Sequence, residues 1–550
     1  FGVPPFDQIK DEHYLPAFEE AFAQKRKDIE AIAAETAPPT FDNTVKALEL
    51  SGELLSRVRP VFSNLNSAET NETLQEVAKE IAPTMAALHD DIYLNDVLFQ
   101  RVRTLVESRD TLSLDAEDTR LLEETFKEFV RSGATLEEKD KERLREINGE
   151  LSVLTTRFGE NLLAETNAFQ MLVEDESQLS GLPERLVIGA AEAAKEAGHE
   201  GQWMFTLHRP SIEPFLDSSD QRDLRRQLLD AYLARGSNGN EHDNREVLET
   251  IATLRAERAR LLGYDTHADY VLEDRMAGTP ARVREFLDRI WTPSLARSKK
   301  EAEALQEAIA ADGGEFQLAA HDWRYYTDRI RRERYALDDA EVRAYFSLEN
   351  VLQGAFTVAH KLYGVTFTEL DNLPVYHPEV RTFEVKDEDG SHLGIFYADY
   401  HPRPGKRGGA WSSRYRPQRM KDGKDIRPVV VNVGNFSRPA GDTPALLSLD
   451  EVETLFHELG HGLNSLFSRI RYSGLSTIQW DAVELGSQIM ENWVLEPEVL
   501  KLYARHWKTD EVIPEALVQK LRDARLFNQG YTTVEYLAAC YLDMDWHTLD

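Results

Sequence analysis

The stretch His457-Glu458-Leu459-Gly460-His461 constrains this chain more than any other. Residues four apart lie one above the other on one face of an α-helix, so two imidazoles at that spacing reach a single ion when the backbone is helical. The H-E-x-x-H order adds a carboxylate, Glu458, which can take a proton from a water beside the ion. With 15 histidines in 550 residues, chance supplies about 0.4 H-x-x-x-H pairs, and requiring Glu at the second position lowers that to roughly 0.04. The motif is therefore read as chemistry, and its surroundings as scaffold.

Ser448-Leu449-Asp450-Glu451, just upstream, has the form of a capping box. Val452, Leu455, Phe456, Leu459 and Leu463 then recur at helical spacing, which predicts a helix with one buried face. A catalytic zinc takes three protein ligands and keeps one position open. The third ligand is sought in residues 480–493, WDAVELGSQIMENW, a second predicted helix capped by Asp481, with Glu484 and Glu491 two turns apart on one face. Glu484 is the expected ligand, because among Val483, Leu485 and Ile489 an unpaired charge would be costly. Glu491 and Asp481 are expected to orient a ligating imidazole through its other ring nitrogen. The alternative for Glu491 is an ordinary solvated carboxylate.

LFHELGHGLN at 455–464, followed by WDAVELGSQIMENW, resembles the thimet oligopeptidase and neurolysin family of zinc metallopeptidases. Within it the bacterial peptidyl-dipeptidases are most similar, with the oligopeptidase A type next. FDQIKDEHYLPAFEEA, HDWRYYTDRIRRERYALDD, AYFSLENVL, LPVYHPEVRTFEV, RGGAW and TTVEYLAACYLDMDWH extend the resemblance over most of the chain. It implies one Zn2+ per chain on His457, His461 and Glu484, with Glu458 as general base, in agreement with the residues themselves. It also implies a mainly α, two-lobed helical metallopeptidase with a deep substrate cleft and a small β-sheet near the zinc helix. Short unfolded peptides are the expected substrates, because a narrow channel excludes folded proteins. The segments YFSLENVL and LPVYHPEV favour release of C-terminal dipeptides over internal cleavage. The family often carries Phe where Leu459 stands and Pro where Gly486 stands, and neither position supplies a ligand. The family loop whose tyrosine and histidine side chains hydrogen-bond the substrate carbonyl in the transition state falls beyond Asp550. A zinc-binding fragment, inactive without a further C-terminal segment, is accordingly the rival reading.

Charge narrows the partners. The formal net charge is −33, from 64 basic and 97 acidic side chains, which repels phosphates and anionic lipid and argues against nucleic acid or membrane as a partner. No apolar run approaches the ~18 residues of a membrane span. Cys540 stands alone, which rules out an intrachain disulfide. A start at Phe1, without Met or an apolar signal, suggests removal of an upstream piece. The expected compartment is the cytoplasm, with the periplasm as the alternative after such processing, and the expected state is a monomer.

Helical periodicity runs from Pro16 to about Glu174, as in Phe18, Phe22, Ile29 and Ile32. Two regions are expected: 1–215, N-terminal and helical, and 216–550, catalytic. Gly236-Ser237-Asn238-Gly239-Asn240 has the composition of a flexible turn. Residues 381–400 predict two strands joined at Asp389-Gly390, and residues 428–433 a third. A free strand edge near the zinc helix can hold an extended peptide by main-chain hydrogen bonds. Gly408, Gly409 and Ala410 are small enough to let a substrate backbone approach, and are the expected substrate contacts. An ordinary surface loop is the alternative for them.

Overall fold

The computed structural model describes residues 1–439, 441–476 and 478–549. Helices dominate, and several begin where the sequence offers a cap. Asn71 accepts from Leu74 N at 3.0 Å to open Glu72–Tyr93, and Asp115 accepts from the Glu117 and Asp118 amides at 3.0 Å to open Ala116–Arg131. Thr279 caps Pro280–Ala311, whose first residue is proline, where the missing N–H costs nothing. Helix Gln529–His547 packs along Pro280–Ala311.

Two expectations for this region change. The helical run stops at Ala168, and Met171–Val173 is a strand paired antiparallel with Trp203–Phe205. Three residues are too few for any period to declare itself. Residues 236–240 are pinned rather than flexible. The buried Glu165 carboxylate accepts from Gly236 N, from Asn238 Nδ2 at 3.0 Å and from Asn240 Nδ2 at 2.7 Å.

One five-stranded sheet positions the site. Its spatial order is Thr366–Glu369, Arg381–Lys386, His392–Asp399, Val429–Val433 and Trp411–Arg416. The second and third strands form the expected hairpin, closed by Gly390 N donating to Asp387 O at 2.9 Å with Gly390 at φ 82°. Val429–Val433 runs parallel to His392–Asp399, with Tyr397 opposite Val431. The two outer strands, TFTE and WSSRYR, escape the sequence reading because edge strands are polar.

All five residues of Val429–Val433 are buried, and alternate side chains enter different cores. Val429, Val431 and Val433, with Ile395 and Tyr397, belong to one core with Phe6 of the N-terminal turn and Phe18, Phe62 and Phe129 of the N-terminal helices. Val430, with Phe396 and Ala398, belongs to another with Leu455, Leu459 and Leu463 of the motif. Each buried valine contributes about 1.5–3 kcal/mol. The N-terminal helices therefore share their core with strands from 380–433.

Candidate metal centre

Helix Leu449–Leu466 carries the motif. Ser448 Oγ accepts from Glu451 N at 3.1 Å, and Glu451 Oε2 accepts from Ser448 N at 2.7 Å, so the capping box forms as written in the sequence. At the far end Arg427 donates to Leu466 O at 2.5 Å and Ser468 O at 3.1 Å, satisfying carbonyls the helix leaves open. Two glycines decide how closely neighbours approach. Gly462 faces the sheet, where a Cβ would lie 3.3 Å from Phe396 and 3.4 Å from Asn432. Gly460 faces helix Leu485–Glu491, where a Cβ would lie 2.6 Å from Ser487 Cα and 3.0 Å from Gly486 O. Only glycine lets these two backbones come so close.

That approach brings Glu484, the residue preceding the short helix, onto the motif. Its Oε2 lies 3.0 Å from His457 Nε2 and 3.1 Å from His461 Nε2. One ligand atom from each of the three residues lies within 4.8 Å of the others. Two imidazole nitrogens and one carboxylate oxygen form the donor set of a three-ligand zinc site. Glu491 Oε1 stands 2.6 Å from His457 Nδ1, an arrangement that puts the proton on Nδ1 and leaves a lone pair on Nε2. Burial pushes the His461 imidazole down despite the Glu484 charge beside it, which favours its ligating neutral form.

Glu458 is 7% exposed. Burial raises its carboxyl to about 7, with Glu484 adding to the rise and His457 opposing it. Its Oε2 is buried without a hydrogen-bond partner among the described residues, an arrangement that calls for a donor. Tyr400 lies close enough for the Glu458 charge to raise it further, and its hydroxyl is likewise buried and unpartnered. Sequence reasoning missed Ser487, whose fully buried hydroxyl donates to Glu484 Oε2 at 2.9 Å and fixes that carboxylate. The signal was its place three residues after Glu484, one helical turn on.

Other expectations need revision. Asp481 orients no imidazole: its two oxygens accept from the Met276 and Ala277 amides at 3.0 and 2.9 Å, tying residues 276–277 to the approach of the Glu484 segment. Glu484 is not enclosed by apolar neighbours, for its side chain is half exposed and Leu485 and Ile489 are exposed as well. Proximity to two imidazoles, rather than burial, distinguishes it. The expected long second helix is confined to Leu485–Glu491. Gly408, Gly409 and Ala410 lie in the loop before Trp411–Arg416, held by Asn435 Nδ2 donating to Arg407 O at 2.9 Å and Gly409 O at 2.7 Å. No atom beyond their own neighbours lies within 4 Å of a Cβ built at Gly408 or Gly409, so the loop is open but does not touch the metal cluster there.

The chain is similar to known proteins over its whole length. Residues 215–550 match the model of Peptidase family M3, and residues 18–141 match the neurolysin/thimet oligopeptidase N-terminal domain. A dipeptidyl carboxypeptidase of Salmonella typhimurium is 42% identical over all of this chain and 81% of its own length, and that of Escherichia coli is 40% identical over the same shares. Oligopeptidase A of Salmonella typhimurium is 34% identical, over all of this chain and 82% of its own. A solved oligoendopeptidase F structure shares the fold at TM-score 0.51 and 15% identity, covering 98% of this chain and 81% of the other. No helix among the described residues is long and apolar enough to cross a membrane. The chain belongs to peptidase family M3 and is a mainly α metallopeptidase.

Proposed function

We propose that the chain hydrolyses short unfolded peptides with one zinc ion held by His457, His461 and Glu484. The observation that carries this is the convergence of three ligand atoms beside a buried, unpartnered carboxyl, Glu458. Zinc at this position supplies Lewis acidity toward the scissile carbonyl. The chain's own residues do the rest. Glu458 takes the proton of the attacking water and returns it to the leaving amine, so no covalent intermediate is needed. Glu491 holds the His457 tautomer, and Ser487 holds the Glu484 carboxylate. Trp411–Arg416, paired on one side only, offers a free edge to an extended peptide, with Gly408, Gly409 and Ala410 at its start. Residues 216–550 form the catalytic region in this reading and 1–215 the helical region packed on it. We place the protein in the cytoplasm as a monomer.

The relatives named dipeptidyl carboxypeptidase support release of C-terminal dipeptides. Internal cleavage is the second reading, supported by the oligopeptidase A relatives. Mass spectrometry of a defined peptide with free and with amidated C-terminus separates the two. Dipeptides released from the free form alone support the first reading, and internal products from both support the second. Glu458→Gln should keep one zinc by elemental analysis while losing turnover by a factor of roughly 100 or more. Full turnover with unchanged metal would remove Glu458 from the mechanism.

A further inference from the structure

Away from the metal cluster, the seam between helices Glu72–Tyr93, Glu138–Ala168 and Arg245–Leu261 borders an open cavity of about 340 Å³. Its walls carry more cationic groups than anionic ones, in a chain whose net charge is −33. Arg255 and Arg258 both line it, and neither has a carboxylate within ion-pairing distance among the described residues. Arg255 Nη1 donates to His547 Nε2 at 3.0 Å. Arg258 has only Asn148 Oδ1, at 3.5 Å, and its Nε is buried with no partner. Burial pushes the Arg258 guanidinium down, with the Arg255 charge adding to the fall and Tyr270 and Asp90 opposing it. Both guanidiniums are partly buried, and with no carboxylate bonded to them they keep N–H donors open to a ligand.

The remaining walls define what fits. Two guanidiniums lie near the Tyr270 ring, Arg131 Cζ 4.6 Å and Arg258 Cζ 5.7 Å from its centroid. Arg131 is already taken, by Glu273 and by Tyr270 O. Leu144, Leu151 and Leu262 supply apolar surface. The one acid on the wall, Asp90, accepts from Asn148 Nδ2 at 2.8 Å and makes no ion pair with either guanidinium; burial pushes its carboxyl up to about 6, so it is charged at neutral pH and sets one negative charge against the three arginines.

We propose that this cavity is a binding site for a small organic oxyanion, a carboxylate or phosphate carried on an apolar body, with Arg255 and Arg258 as its charge partners. The oxyanion takes the open donors of the two guanidiniums, and the body lies against Tyr270 and the leucines. The 340 Å³ suits a ligand of single-ring size. None of the lining residues belongs to the metal cluster.

Calorimetric titration of the purified chain at fixed ionic strength tests this, with benzoate, phenyl phosphate, inorganic phosphate and the neutral benzamide as probes. One benzoate or phenyl phosphate should bind per chain, and benzamide about tenfold or more weakly. Preference for benzoate assigns a carboxylate ligand, and preference for phenyl phosphate a phosphate ester. Binding of inorganic phosphate as tight as phenyl phosphate would overturn the role given to the apolar wall. Arg255→Gln, at a partly exposed position, and Arg258→Met should each lose about tenfold in affinity, with Arg258→Lys recovering part. Absence of binding heat for every acid overturns the proposal. So does unchanged affinity in Arg255→Gln, a variant expected to fold even where Arg258→Met does not.

Discussion

Gly460→Ala tests whether backbone proximity builds the metal centre. The new methyl would sit 2.6 Å from Ser487 Cα, against about 3.4 Å for ordinary contact, so the Glu484 segment must retreat by about 0.8 Å. Two effects on stability compete. Alanine is favoured over glycine inside a helix by about 1 kcal/mol, while overpacking against immobile backbone costs about 1–3 kcal/mol. The clash is with a Cα and a carbonyl rather than a flexible side chain, so destabilisation should win by about 1 kcal/mol. The larger effect is on function. A misplacement near 1 Å at a catalytic constellation lowers kcat by roughly ten- to a hundredfold. Zinc affinity, read by competition with a chromophoric chelator, should fall alongside kcat on a fluorogenic peptide. Gly486→Ala is the matched control: a Cβ there meets nothing within 4 Å, and both quantities should hold within about twofold. If Gly460→Ala behaved like Gly486→Ala, close approach of the two helices would not be what sets the ligand geometry.

Glu491→Ala removes the 2.6 Å partner of His457 Nδ1 and should weaken zinc binding by about 10–100-fold, measured by the same chelator competition. Arg427→Met leaves the Leu393, Leu466 and Ser468 carbonyls without their donor and should lower the urea unfolding free energy by about 2–4 kcal/mol. Asp90 supplies a pH dependence. Its folded value of about 6 exceeds its ordinary 3.8, so the folded chain holds the extra proton between those values. Its contribution to stability is therefore present below pH 3.8 and lost as pH rises through 6. Asp90→Asn should be more stable than the parent at pH 7.5 and equal to it near pH 4 in urea titrations; a constant difference would show that the charge is not the cause.

The motif, its capping box and the two nearby glutamates were legible because helical spacing alone decides which side chains share a face. Strand Val429–Val433 was legible as a valine-rich run, broken only by Asn432 and preceded by Pro428. What the sequence could not convey was tertiary. Gly460 looks like a tolerated glycine in a helix until the backbone of Ser487 appears across from it. Asp481 has the form of a helix cap, yet its oxygens serve amides some two hundred positions earlier in the chain. The strand Trp411–Arg416 hides because serines and arginines suit an edge as well as they suit a loop. Arg255 and Arg258 sit in an ordinary charged helix, and only the folding of Gln529–His547 and Glu138–Ala168 around them reveals that no carboxylate among the described residues pairs with them.

The alternation along Val429–Val433 also bears on how the protein is made. The apolar faces of the N-terminal helices, with Phe18, Phe62 and Phe129, leave the ribosome roughly 300–400 residues before Val429, Val431 and Val433, which complete their core. At about 5–20 residues per second, those faces wait some 15–80 s for their partners. For that interval the nascent chain presents a greasy, half-finished surface, the kind that holdase chaperones recognise and that crowding turns toward aggregation.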